Sequence, residues 1–379
     1  AASFYSGTVN AGVTTTFNSA MSFSNVFTLN GTAQDGNNSF ILGFGIATAQ
    51  TNPLVIGGSG AFAQTLGAEF LGSTTYNVPG GTYITLFIRD VSASGASVTA
   101  TVTGNITVTG FGAYHAEWGL GSISMGIVNG SSPNVPLIFN LNGFNLTASS
   151  PNATFEIAIG GVDESRFLAQ NGTVTIGSIN VRAAASYIDL GSSTWTVSGS
   201  WTNIGTNAAW DAGTGTVTFT SATGGTMTFA GANLAEAEFN NMAFNSSAGT
   251  SQIFTMATRG LSWSGTLTIT GDTILAKATF TLGAEASGAL TVGGAGSNGL
   301  TSTSGAVTMT TVSIANTGDY IDLGSEAWTV SGTWTNSTTS ASWDAGTGTV
   351  TFTSSSSQTM TWGNPGGAEF NHVSFAPSS

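Results

Sequence analysis

The side chains in this 379-residue chain that could do chemistry are few: eighteen carboxylates, five Lys or Arg, two histidines and no cysteine. His115 and His372 lie far apart in sequence, and neither sits in a nucleophile or metalloprotease pattern such as G-x-S-x-G or H-E-x-x-H. The clustered acidic candidates are few: Asp163-Glu164, beside Arg166, and Asp319 with Asp322. Polysaccharide-cleaving solenoids work with clustered acids or a basic residue on one face, and little here meets that need. The expectation is a protein without catalytic residues. Lys277 is the single lysine, so Lys–Asn isopeptide crosslinks cannot be a general stabilising device.

Other residues stand out because they recur. Tyr187–Ser221 returns at Tyr320–Ser354, with 28 of 35 positions identical. The offset is 133 residues, and the second copy runs for about 75 of them before the chain stops. Trp195, Trp201 and Trp210 thereby match Trp328, Trp334 and Trp343. Trp195 and Trp201 are six residues apart, so on a regular strand they share a face. Exposed, that face is a sugar-stacking platform; buried, it is core. Asp189 and Asp211 match Asp322 and Asp344, with Asp319 and Glu326 added in the second copy. Oxygen-rich turns of this kind either hold calcium or use the carboxylate to cap local backbone N–H groups. No D-x-[DN]-x-[DN]-G run is present, which favours capping and leaves calcium as the one cofactor to consider. No metal ligand is assigned.

Composition says what must position these residues. Only 6% of the chain is charged, while 40% is hydrophobic and 53 residues are glycine. Aromatic and β-branched residues run throughout, so the chain is folded rather than disordered. The net charge of −13 comes from scarcity of base, which disfavours nucleic acid and anionic membranes as partners. No apolar run is long enough to span a bilayer as a helix, and Phe40–Ala49 reads as a buried strand. Without cysteine, strand ladders and core packing must supply stability. The Ala1-Ala2-Ser3 start reads as the product of signal-peptide removal, and hence of export to the cell surface or beyond.

Four segments follow. Residues 1–24 read either as a first strand or as an arm, bearing Val9, Val13 and Phe17, that adds a strand to a neighbouring subunit. Residues 25–170 alternate short apolar runs with Gly, Asn-Gly and Pro-Gly turns, the pattern of an antiparallel β-sandwich or jelly roll, with a hairpin over Ser97–Thr109. Residues 171–304, and the shortened copy 305–379, give five-residue strands rich in Thr and Gly without long connections. A β-solenoid, or parallel β-helix-like stack of rungs, satisfies that pattern best. The chain is therefore expected to be all-β, with helix close to absent.

The strings WTVSGSWTN, DAGTGTVTFTS, GTMTF and EFNNMAF, with SSSSQTMTW and EFNHVSF in the second copy, resemble repeats of large secreted and cell-surface proteins of bacteria and archaea. The resemblance covers residues 171–379 and implies an exported structural or adhesin-like β-solenoid. It carries no catalytic residues. N-x-[ST] sequons stand at Asn30, Asn37, Asn105, Asn129, Asn145, Asn152, Asn171, Asn245 and Asn336, and matter in a host that glycosylates exported proteins. The expected function is an extracellular structural subunit whose partners are its own copies, joined into a filament, sheath or surface layer. The second copy's early stop leaves an open rung for a neighbour to pair. The alternative is an adhesin that recognises surface glycans through its tryptophans.

Overall fold

A computed structural model describes residues 2–38, 40–45, 51–72, 74–90, 97–109, 113–115, 120–123, 125–129, 136–148, 154–157, 165–181, 186–203, 209–221, 225–229, 239–245, 252–256, 263, 265–270, 273–277, 289–292, 299–301, 307–314, 317–325, 327–339, 343–363 and 369–376. Every regular element among them is a β-strand, and all but one pair of strands run parallel. Short strands of β-branched, aromatic and Thr residues, broken by glycine corners, wind into a parallel β-solenoid. The chain divides into two compact units, Ala1–Thr194 with Asn203–Trp210, and Trp195–Thr202 with Asp211–Ser379.

In the first unit each turn has three strands. The first turn is Ala2–Phe4, Gly7–Val9 and Thr14–Thr16; the second is Met21–Phe23, Phe27–Leu29 and Thr32–Gln34. They pair rung on rung, Ala2 with Met21, Gly7 with Phe27 and Thr14 with Thr32. Because the strand period is two, alternate residues point inward and stack into columns. One column pairs Phe4, Phe23, Phe44, Phe70, Ile88, Ile127, Ile157 and Val181 in register, and of these Phe23, Phe44, Phe70, Ile88 and Val181 are buried in the core. Its rings lie 5.9, 6.3 and 5.5 Å apart from Phe4 to Phe70. An outer column is Thr82, Thr107, Thr147 and Thr175. Threonine suits that position because its branched Cβ fits the pleat while its hydroxyl meets water, which is how so uncharged a surface stays polar.

The antiparallel sandwich expected over 25–170 is therefore replaced by parallel rungs. Val98–Val102 and Ile106–Val108 do not form a hairpin. They lie on different faces, the first paired with Tyr76–Val78 and Leu137–Asn140, the second with Gly81–Tyr83 and Leu146–Ala148. Apolar alternation with one buried face looks the same in both architectures, and a Gly-Asn step serves as well for a corner as for a hairpin turn. The only antiparallel pair among the described residues is Ala113–His115 with Leu120–Ile123. Residues 2–24 supply the first strands of the stack. Val9 and Phe17 are buried in the core and Val13 is exposed at a corner. The strands of this segment pair along one edge with the chain's own next turns.

The second unit continues the same construction. One stack runs Thr194–Val197, Thr216–Phe219, Asn241–Asn245, Thr266–Thr270, Ala289–Val292, Val312–Ile314, Trp334–Asn336 and Met360–Thr361. A second runs Trp201–Asn203, Gly225–Phe229, Gln252–Met256, Thr273–Lys277, Gly299–Thr301 and Tyr320–Asp322. A third stacks Val307–Met309, Ala327–Val330, Thr349–Phe352 and His372–Phe375.

At several corners the backbones stack too closely for any side chain. A Cβ on Gly191, whose φ is +61°, would lie 1.9 Å from the Gln170 carbonyl oxygen, and one on Gly346, at +57°, 1.8 Å from that of Gly324. Glycine is required there for both reasons.

Candidate functional site: the aromatic and carboxylate cluster of the repeat

Four of the six repeated tryptophans are core. Trp195, Trp201, Trp328 and Trp334 are fully buried, so their faces are not open to a sugar ring. Trp195 packs 5.9 Å from Trp201, and Trp328 packs 6.4 Å from Trp334. The Trp328 Nε1–H donates to the Leu323 carbonyl at 3.1 Å, which satisfies the indole inside the core. Trp343 is half-buried, and its Nε1–H donates to the backbone carbonyl of Glu369 at 3.0 Å. Trp210 lies in the strand Ala209–Asp211.

Around Trp334 a polar constellation forms that the sequence reading did not assign. The Glu369 Oε1 accepts from Trp334 Nε1 at 2.8 Å and from Asn336 Nδ2 at 3.0 Å. Asn336 is fully buried; its Oδ1 accepts from the Thr338 backbone N–H at 2.9 Å, and Thr338 Oγ1 donates onward to the Asp319 carbonyl at 2.7 Å. Phe370 sets its ring edge-on to Trp334 at 4.9 Å. Burial pushes the Glu369 carboxyl above the usual carboxylate range, against the opposite pull of the hydrogen bonds from Asn336, Trp334 and Gly363. The signal was present in the chain, since Glu-Phe-Asn recurs at the same place in both copies, as Glu238-Phe239-Asn240 and Glu369-Phe370-Asn371.

The repeated aspartates cap turns. Asp189, Asp211, Asp322 and Asp344 each accept, through Oδ1, from the backbone N–H of the glycine two residues on, at 2.7, 2.8, 2.9 and 2.8 Å. Among the described residues no group of three or more His, Cys, Asp or Glu side chains could hold a metal ion. Asp163, Glu164 and Glu326 lie outside the described residues. Arg166 sits in the strand Ser165–Leu168, its guanidinium 5.6 Å from the centre of the Tyr187 ring. His115 is in the short antiparallel pair and His372 is exposed at the start of His372–Phe375.

Of the sequons, Asn37, Asn105, Asn145, Asn171 and Asn245 are exposed and Asn30 is half-buried. Asn129 ends the strand Met125–Asn129, and Asn152 is outside the described residues. Asn336 is removed from the set, because its side chain is buried with both polar atoms engaged.

No family model, curated protein or solved structure matches the chain.

Proposed function

We propose that the protein is an extracellular structural subunit that assembles with copies of itself into a filament, sheath or surface layer. One observation carries the reading. Large exposed apolar side chains cluster at strands that have a neighbour on one edge only among the described residues. In the first unit these are Phe4 (47% exposed), Tyr5 (74%) and Val13, on and beside the turn that begins with Ala2–Phe4. In the second unit they are Trp362, Val373 and Phe375 (65% exposed), on and beside Met360–Thr361 and His372–Phe375. Val55 is the single exposed large apolar residue outside these two groups among the described residues. An apolar strand with unpaired N–H and C=O groups is a template for another strand, and proteins that remain dispersed usually blunt such edges with charge or proline. Pairing in the same parallel sense would cover both groups, and a second copy of this chain supplies strands of matching rise and column pattern.

The low charge supports the same reading, since subunits can pack without desolvating many ions. The resemblance of residues 171–379 to adhesin-like repeats, and the exposed sequons, agree with a place outside the cell. The glycan-binding alternative draws no support from the four buried tryptophans.

The test is electron microscopy and light scattering of purified chain, beside a Phe4→Lys/Phe375→Lys double variant. The wild type is expected to form ordered polymer and the variant to stay dispersed with an unchanged circular dichroism spectrum. A wild type that remains monomeric as concentration rises would overturn the reading, as would polymer unaffected by the two lysines.

A further inference from the structure

We infer that the assembly proposed above, on which this step rests, is joined head to tail: the strand His372–Phe375 of one copy pairs in parallel with the strand Ala2–Phe4 of the next, Ser374 opposite Ser3 and Phe375 opposite Phe4. Such a joint is heterologous, so it propagates from copy to copy instead of closing on a two-fold axis.

The two strands carry the same string. Ala2-Ser3-Phe4 and Val373-Ser374-Phe375 share Ser-Phe, and so does Met21-Ser22-Phe23, the strand on which Ala2–Phe4 already lies. In that internal rung Ser3 pairs with Ser22 and Phe4 with Phe23; the serine Oγ atoms are 3.1 Å apart and the rings stack at 5.9 Å. In the second unit Phe375 pairs with Phe352, and their rings stack at 5.6 Å. Phe23 and Phe352 are buried, whereas Phe4 and Phe375 are 47% and 65% exposed. Each exposed ring is the last described member of a phenylalanine column. Setting one column on the other covers both rings with the same stacking contact that each already makes on its other face.

The backbone agrees independently. In a parallel ladder the N–H and C=O of one residue point to the same edge, and those of its neighbours point to the opposite edge. The Phe4 carbonyl accepts from the Ser24 N–H at 2.9 Å, so Phe4 bonds toward Met21–Phe23 and Ser3 faces the open edge. The Ala376 N–H donates to the Phe352 carbonyl at 2.9 Å, so Ser374 and Ala376 bond toward Thr349–Phe352 while Val373 and Phe375 face the open edge. With Ser3 opposite Ser374, the Ser3 N–H meets the Val373 carbonyl and the Phe375 N–H meets the Ser3 carbonyl. A slip of one residue would set Ser3 opposite groups already directed at Thr349–Phe352, and would put inward side chains against outward ones. A slip of two residues keeps the phase but separates the rings.

The chain has no cysteine, so a disulfide can report the joint. Paired residues on adjacent parallel strands are about 4.8 Å apart, within the Cα separation a disulfide spans. Full-length Ser3→Cys and Ser374→Cys variants are assembled alone and as a mixture, polymer is checked by electron microscopy beside the wild type, and a mild oxidant is added. Covalent dimer should form in the mixture several-fold above either variant alone, and Ser3→Cys mixed with His372→Cys should give several-fold less. Linking within a single variant overturns the head-to-tail joint, and stronger linking through His372→Cys overturns its register. Polymer that forms in the mixture without linking overturns the joint while assembly stands. A wild type and variants that all stay monomeric overturn assembly, and the joint with it.

Discussion

The two copies of the repeat share their sequence and their ring geometry, yet they occupy different faces of the second unit. Phe219 lies 6.2 Å from Trp201 and stacks on Phe244 at 4.9 Å; Phe352 lies 6.3 Å from Trp334 and stacks on Phe375 at 5.6 Å. However, Thr194–Val197 and Thr216–Phe219 belong to one stack, whereas their counterparts Ala327–Val330 and Thr349–Phe352 belong to another. Trp201–Asn203 and Trp334–Asn336 differ in the same way. An offset of 133 residues is not a whole number of turns, so the second copy arrives rotated to the next face. The repeat therefore specifies a set of side chains that pack with one another, and any face of the solenoid can receive it. Burial is what distinguishes the copies. Phe244 is covered by the next rung, Thr266–Thr270, and is fully buried, while Phe375 is 65% exposed.

That difference predicts the largest contrast. Phe244→Ala should cost about 3–5 kcal/mol, the range for emptying a packed aromatic site. Phe375→Ala, at the aligned position, should cost under about 1 kcal/mol in dispersed protein, as for surface changes generally. Denaturant melts of the two variants, taken where the protein is unpolymerised, check this. Equal losses would mean that Phe375 is covered in solution, which would itself point to a partner on that edge.

Glycine corners give the next contrast. Gly346→Ala combines a left-handed backbone with a carbonyl 1.8 Å from the new carbon, and should cost about 2–4 kcal/mol. Gly12 also has positive φ, +76°, but nothing lies within 4 Å of its added Cβ. Gly12→Ala should therefore cost only about 1–2 kcal/mol, the left-handed penalty alone. Thermal melts of both variants separate the stacking requirement from the conformational one.

Those corners also show why the sequence was legible in one half and misread in the other. From residue 171, short Thr/Gly strands with a long-period repeat left little alternative to stacked rungs. Before that, no repeat announced itself, and pairs such as Val98–Val102 and Ile106–Val108 satisfy alternation equally well beside each other or one rung apart. Partner choice is a non-local property: Val98 meets Leu137 across 39 residues that include the short antiparallel pair. Burial of the tryptophans was an open alternative on paper because an even spacing fixes a shared face but not which side of the sheet that face is. The role of Glu369 was hidden differently. Its partners Trp334 and Asn336 lie 35 and 33 residues away, and only the recurrence of Glu-Phe-Asn beside Trp-x-Asn hinted that they meet.

The smallest contrast lies among the capping aspartates, and it decides between turn and metal. Asp322 is half-buried and Asp344 is exposed, although both accept from the glycine two residues on at nearly equal distance. A hydrogen bond to a charged acceptor contributes more where water competes less. Asp322→Ala should therefore cost about 1–2 kcal/mol and Asp344→Ala about 0.5–1 kcal/mol. Asparagine at either position should restore most of the loss, because an Asx-turn needs the side-chain oxygen rather than the charge. A calcium site would behave otherwise: asparagine would restore little, and a chelator would lower the melting temperature as much as alanine does. With turn capping the chelator should leave the melting temperature of the wild type unchanged, since the four aspartates bond to their own backbone.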